Sequence, residues 1–185
     1  MRIISGDFKG KKILLPEDKN TRPLRDLVKE SIFNLISHSK KFNCSLVNSN
    51  ILDLFSGIGS FGIECLSRGV KKVTFVENYP GVLPILKQNL NSLKSVKNFE
   101  VIEENIYNND IISNFNTKFD IIFLDPPYKD KNLENLLFKI REICKKHSIV
   151  IIHRHKNEID ILPPAFRLID QKIYGISKII FLSLN

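Results

Sequence analysis

The chain has 185 residues, room for one domain with an appendage and too little for a second full domain. Hydrophobic residues make up 43% of it, enough for a real core, which excludes both an intrinsically disordered chain and a disulfide-stapled miniprotein. Lys and Arg number 28 against 20 Asp and Glu, a net charge of +8 that points to a polyanionic partner, and residues 1–41 hold ten cations against five acids, so +5 of the excess sits there.

The three cysteines, Cys44, Cys65 and Cys144, are odd in number and widely spaced, which offers neither a C-x-x-C site nor a paired framework and suits a reducing compartment. Charges and glycine interrupt the start of the chain, and apolar runs such as 149–152 are far too short to span a bilayer. A cytoplasmic protein without membrane anchoring is expected.

In chain order, residues 2–15 read as a basic hairpin around Gly6 and Gly10. Thr21-Arg22-Pro23 then opens a helix with proline near its first turn. Leu24, Leu27, Val28, Ile32, Leu35 and Ile36 form its apolar face, and Lys29, Glu30 and Asn34 fall on the polar side. Residues 40–50, rich in Lys, Asn and Ser, look like a linker. This divides the chain into a basic extension, 1–41, and a larger unit, 42–185.

In that larger unit, apolar runs at 51–55, 73–76, 99–102, 121–124 and 149–152 alternate with helical patterns at 60–68, 81–93 and 133–146. Such alternation predicts a parallel sheet with helices on both faces. The last two runs, 166–174 and 178–184, are joined by a short turn at Gly175 without a crossover helix, so they should pair antiparallel. The expected architecture is α/β: a doubly wound, mostly parallel seven-stranded sheet ending in a hairpin.

Gly57-Ile58-Gly59-Ser60-Phe61-Gly62 follows an apolar strand and opens a helix, the context of a nucleotide-type cofactor loop. A dinucleotide and S-adenosylmethionine both use this geometry. Asp53, at the end of the preceding strand, would repel a pyrophosphate but attract a methionine ammonium. Glu77, at the end of the next strand, is placed to accept ribose hydroxyls. After the third strand, Asn105 stands where an acidic residue often meets the adenine amine, and its side-chain oxygen can still accept from N6.

Residues 120–128 read DIIFLDPPY, a strand that delivers Asp125, Pro126, Pro127 and Tyr128 to the carboxyl edge of the sheet, where ligands bind in open α/β folds. Two prolines make the turn rigid and remove two N–H donors. The Asp125 carboxylate and Pro126 carbonyl could then hold both hydrogens of an exocyclic amine and aim its nitrogen at a sulfonium methyl. Tyr128 would offer a flat face to the base. These bonds favour the pyramidal nitrogen of the transition state, and Asp125 can take the proton afterwards.

DLFSGIGSFGIECLSRG (53–69) and FLDPPY (123–128), together with RIISGDFKGKKI (2–13), TRPLRDLVKESIFN (21–34) and YGISK (174–178), resemble the bacterial methyltransferases that modify guanine N2 in small-subunit (16S) ribosomal RNA. The resemblance implies a class I, Rossmann-like fold with a small N-terminal extension, S-adenosylmethionine as methyl donor, and a ribosomal RNA target, naked or within a subunit. It implies Asp125, Pro126, Pro127 and Tyr128 as catalytic residues and Asp53, Phe55, Ser56, Gly57, Gly59, Glu77, Asn78 and Asn105 around the cofactor. No metal is expected, and the protein is expected to act as a monomer.

Arg2, Lys9, Lys11, Lys12, Arg22 and Arg25 would neutralise RNA phosphates or form a solvated basic face, and their confinement to one segment favours RNA. His153, Arg154 and His155, at the end of the fifth strand, read either as a phosphate contact or as a solvated strand end. Phe61, Phe75 and Phe123 read as core. The rival functions are methylation of a DNA adenine or cytosine amine, which would need a target-recognition segment, and a non-catalytic RNA-binding assembly factor, which would not need an intact loop and D-P-P-Y. A nicotinamide oxidoreductase leaves both Asp53 and D-P-P-Y unexplained.

Overall fold

The computed structural model describes residues 1–17, 24–42 and 44–185. Its strands β1 (Asn50–Leu54), β2 (Lys72–Val76), β3 (Phe99–Ile102), β4 (Phe119–Leu124), β5 (Cys144–His155), β6 (Phe166–Tyr174) and β7 (Ser177–Leu184) form one sheet in the order β3-β2-β1-β4-β5-β7-β6. The first five pair parallel, and β7 runs antiparallel to both β5 and β6. The expected doubly wound sheet with a terminal hairpin is therefore present.

The pleat sends alternate side chains to opposite cores. Ile51, Phe75, Phe123, Ile151 and Phe181 meet α1 (Asp26–His38), α2 (Ser60–Ser67) and α3 (Leu83–Asn91) on one face. Leu52, Leu54, Val76, Ile122 and Ile152 meet α4 (Asn109–Ser113) and α5 (Leu133–Ile140) on the other. Phe61, Phe75 and Phe123 are buried core, as expected, and Phe61 stacks on Phe123 with ring centroids 4.2 Å apart. Strand order reverses between β1 and β4, so a crevice opens at their carboxyl ends.

Several boundaries differ from the sequence reading. The expected opening of the first helix, Thr21, Arg22 and Pro23, lies outside the described residues, and α1 begins at Asp26. Leu27, assigned to its apolar face, is 69% exposed, whereas Lys29, assigned to its polar face, is completely buried. Lys29 is drawn inward because its Nζ donates to the Arg2 carbonyl at 2.8 Å and lies 3.5 Å from the buried Glu64 carboxylate. The helix expected over 133–146 ends at Ile140. A 3-10 turn, Arg141–Ile143, follows, and Cys144 already pairs with Phe119 as β5 begins. Helix α4 has five residues, too few to display a helical period, and was not foreseen.

Residues 1–13 double back through one antiparallel bridge between Arg2 and Lys12 and lie on α2. Glu64 of α2 accepts the Ile4 and Ser5 amides at 2.8 and 2.9 Å, and the Ser67 carbonyl accepts from Asp7 at 2.8 Å. Gly6 takes φ +82°, and a Cβ there would stand 1.8 Å from the Ser67 oxygen, so this crossing requires glycine. The basic segment is thus fastened to the helix that the glycine loop opens.

Candidate active site

The loop after β1 is built from positions that few side chains tolerate. Phe55 holds φ +57°, unusual for a residue with a Cβ, and Gly57 and Gly59 hold +54° and +82°. The Gly57 amide donates to Glu77 Oε2 at 2.7 Å, which closes the loop onto the end of β2. Gly62 solves a packing problem: a Cβ would approach the Phe75 ring to 2.3 Å. The absence of a side chain there lets α2 lie close against Phe75 of β2.

Asp53 is 1% exposed and lies beneath this loop, where its Oδ2 accepts from the Gly62 amide at 2.9 Å. Burial pushes its carboxyl well above the ordinary range. The Gly62 hydrogen bond opposes that shift, and the nearby charges of Asp125 and Glu77 reinforce it. Glu77 is 8% exposed, and besides Gly57 it accepts the Asn78 and Tyr79 amides, each at 2.8 Å. The Ser56 amide bonds the Val76 carbonyl at 3.1 Å, and Asn78 is exposed at the rim. Three carboxylates from three strand ends therefore converge on one loop, a field that suits a cation and opposes a pyrophosphate.

Past β3, the exposed Asn105 accepts the Tyr107 amide at 3.0 Å with its own side-chain oxygen. Tyr107 packs against Phe55 with centroids 5.8 Å apart and donates from its hydroxyl to Asp130 at 2.5 Å. A groove of about 950 Å³ runs beside β2, β3 and the short α4, with Ile102, Glu104 and Tyr107 among its lining residues.

At the end of β4, the Asp125 amide bonds the Leu54 carbonyl at 3.2 Å, which sets D-P-P-Y directly beside the glycine loop. Asp125 Oδ1 lies 2.8 Å from His153 Nδ1. The Pro126 carbonyl accepts no hydrogen bond among the described residues, whereas the Pro127 carbonyl accepts from Asp130 at 2.9 Å and from Arg154 at 3.1 Å. Tyr128 is half-buried, edge-on to His155 at 5.2 Å and to His153 at 6.1 Å.

The reading of 153–155 as a phosphate contact or a solvated strand end needs correction at His153 and Arg154, whereas His155 is half-buried. His153 and Arg154 are 5% and 2% exposed and bonded to protein groups, because β5 lies between β4 and β7 and its end is covered on both sides. Arg154 also donates to Asp160 at 2.8 Å and to the Asp130 carbonyl at 3.2 Å, clamping the segment after D-P-P-Y. Tyr107 and Ser177 were missed as site residues. His153 and Arg154 were placed at the substrate edge by their position at a strand end, but their bonds to Asp125 and Asp160 were not foreseen.

Among the N-terminal cations, Arg2, Lys9, Lys12 and Arg25 are exposed. Lys11 differs, being half-buried with its Nζ donating to the Ser92 carbonyl at 2.5 Å, and Arg22 lies outside the described residues.

A mostly parallel seven-stranded sheet, with a glycine loop after its first strand and D-P-P-Y after its fourth, defines a class I, Rossmann-like methyltransferase. The chain belongs to the family described as Conserved hypothetical protein 95, whose model matches residues 1–183 and which is the family of ribosomal RNA small subunit methyltransferase D. It is similar to Ribosomal RNA small subunit methyltransferase D of Haemophilus influenzae, 34% identical over 180 residues covering 95% of this chain and 90% of that one. The protein of the same name from Escherichia coli K12 is 30% identical over 178 residues, covering 95% and 85%. The solved structure of Escherichia coli yhhF superposes with a TM-score of 0.83 at 26% identity, covering 100% of this chain and 98% of that one.

Proposed function

We propose that this chain transfers the methyl group of S-adenosylmethionine to the exocyclic N2 amine of a guanine in small-subunit ribosomal RNA. The observation that carries the reading is the adjacency of two features: a glycine loop ringed by Asp53, Glu77 and Asp125, and the buried Pro126 carbonyl, without a hydrogen bond among the described residues, beside Asp125 at the same strand ends. The relatives named ribosomal RNA small subunit methyltransferase D support the RNA class.

When bound, the cofactor supplies an electrophilic methyl on a cationic sulfur. Asp53, buried under the loop, would face the cationic part of the donor, and Glu77 would accept from its ribose hydroxyls. Phe55, Ser56, Gly57, Gly59, Asn78 and Asn105 would line its path. Asp125 and the Pro126 carbonyl would each accept one hydrogen of the target amine, which favours the pyramidal nitrogen needed for attack and fixes its lone pair toward the donor. Pro127 keeps the turn rigid, and Asp125 then takes the proton made acidic by methylation.

Tyr128 would stack on the flipped guanine. Flipping costs a few kcal/mol and one aromatic stack returns about 1–3 kcal/mol, so an already unstacked loop nucleotide is the favoured target. Residues 1–41 would act as the RNA-facing extension, with Arg2, Lys9, Lys12 and Arg25 on phosphates. The test is Asp125→Ala. Methyl transfer to small subunits should be lost while calorimetry still detects cofactor binding, and equal loss of both would reassign Asp125 to folding or cofactor binding.

A further inference from the structure

Two buried polar side chains at the reacting edge have no part in the transfer as described, the His153 imidazole and the Ser177 hydroxyl. Ser177 begins β7 within the YGISK segment and pairs in register with His155. His153 Nδ1 lies 2.8 Å from Asp125 Oδ1, and His153 Nε2 lies 2.9 Å from Ser177 Oγ. The three side chains form one line from the amine-binding carboxylate into the terminal hairpin.

The donors in that line follow from chemistry. An ionised carboxylate only accepts, so Nδ1 carries a hydrogen toward Asp125 whether the ring is neutral or cationic. Nε2 of the neutral ring accepts from the Ser177 hydroxyl, and Nε2–H of the imidazolium donates to it. Ser177 can therefore brace the ring in either charge state, as a carboxylate or an amide N–H could not.

We infer that His153, braced by Ser177, is a positioning residue for methyl transfer: it holds Asp125 by one oxygen so that the other meets the target amine, and its charge sets how much of the carboxylate's negative charge that amine feels. This rests on the amine-methylating reading above. As the nitrogen–carbon bond forms, the carbon–sulfur bond breaks with its electron pair passing to sulfur. The nitrogen becomes cationic, and its surplus proton passes to the free oxygen of Asp125. A neutral His153 leaves the full carboxylate charge facing that cation, whereas an imidazolium neutralises part of it and makes Asp125 a weaker acceptor.

Among the described residues, few titratable or charged groups surround the ring. Asp125 faces it from the end of β4, and Tyr128 stands edge-on from the following turn. His155 lies two residues along β5 on the same face, with Tyr128 against it. β7 contributes the neutral Ser177, while Arg154 and its register partner Lys178 turn to the opposite face and Asp160. Burial lowers the proton affinity of His153, but the charge and hydrogen bond of Asp125 outweigh it, so the ring titrates above 6.5.

The experiment is single-turnover methyl transfer to small ribosomal subunits from about pH 6 to 8.5, with saturating S-adenosylmethionine, for the wild type, His153→Asn, His153→Ala and Ser177→Ala, and with cofactor affinity measured by calorimetry. The wild-type rate should climb with pH as His153 loses its proton. His153→Asn places a neutral N–H near the position of Nδ1, so it should keep most of the rate at high pH and lose the climb. His153→Ala should be slower on the order of 10²-fold, the effect of a misplacement of about 1 Å, with cofactor affinity intact. Ser177→Ala, which removes the acceptor for the imidazolium, should move the climb to lower pH. A His153→Ala enzyme at the wild-type rate, or His153→Asn with an undiminished climb, overturns the inference and leaves amine methylation standing. A wild type that methylates no RNA overturns the proposed reaction and this inference with it. If His153→Ala fails to fold, the comparison of His153→Asn with the wild type decides.

Discussion

Tyr107 packs its ring against Phe55 of the glycine loop and donates its hydroxyl to Asp130, two residues beyond the D-P-P-Y turn. One side chain thus joins the loop after β1 to the loop after β4, the two segments between which the proposed reaction would pass a methyl group. Tyr107→Phe keeps the ring contact and removes the bond to the carboxylate. It should cost about 1.5–3 kcal/mol of stability, as expected for a hydrogen bond to a charged group, and lower kcat more than it raises the KM for cofactor. Urea titration and steady-state kinetics read both, and an effect on cofactor KM alone would confine Tyr107 to the cofactor side.

Asp53 sets stability against binding. Its folded carboxyl sits well above 3.8, chiefly through burial, so folding favours the protonated form. That contribution is complete below about pH 3.8, the unfolded value, and is lost as pH rises through the folded one. Asp53→Asn still offers an oxygen to the Gly62 amide and cannot ionise. The variant should therefore melt higher than the wild type near neutral pH, by a margin that shrinks toward pH 4, while binding S-adenosylmethionine more weakly. Melting curves at several pH values test this, and a destabilised variant at pH 7 would show that the carboxylate is structurally required.

Glu64 carries the attachment of the N-terminal segment through the Ile4 and Ser5 amides and through Lys29, which itself donates to the Arg2 carbonyl. Glu64→Ala leaves two amides without their acceptor and removes the nearer of the two carboxylates beside the buried Lys29, and should cost about 3–5 kcal/mol. Hydrogen exchange should accelerate at Ile4 and Ser5 more than in the sheet. Uniform acceleration would mean that Glu64 supports the whole fold and not this attachment in particular.

Electrostatic binding of RNA should depend on the exposed cations and not on Lys11, whose ammonium is engaged with Ser92. Replacing Lys9, Lys12 and Arg25 by Ala should reduce the slope of log affinity against log salt by about 2, whereas Lys11→Ala should leave it nearly unchanged. If the triple replacement leaves the slope intact, RNA binds through another surface.

The parts of this molecule legible in the sequence are those that depend on local backbone chemistry or on the period of a long run. Gly57, Gly59 and Gly62 announce a tight turn and a close helix, and buried parallel strands such as β1 and β4 are continuous apolar runs. D-P-P-Y was legible because of its place: alone it reads as an ordinary strand-terminating turn, but it follows the glycine loop, Asp53 and Glu77 by two crossovers. What escaped depends on partners distant in the chain. Lys29 falls on the polar side of a helical wheel, and its burial is explained by the Arg2 carbonyl, twenty-seven residues back, and by Glu64, thirty-five residues on. His153 meets Asp125 because two parallel strands lie side by side, and Ser177 joins them through an antiparallel return. Periodicity says nothing of such cross-strand pairs. The early end of α5 was hidden for a related reason: Ile143 and Cys144 prolong its apolar pattern although the backbone has already turned into β5.

The most direct measurement is incubation with methyl-labelled S-adenosylmethionine and, separately, small ribosomal subunits, naked ribosomal RNA and DNA, followed by identification of the labelled nucleoside. Label confined to N2-methylguanosine from the RNA of the small subunit is the expected result. Label in N6-methyladenine, or none in any substrate, would contradict the assignment of Asp125 and the Pro126 carbonyl as the acceptors of a guanine amine.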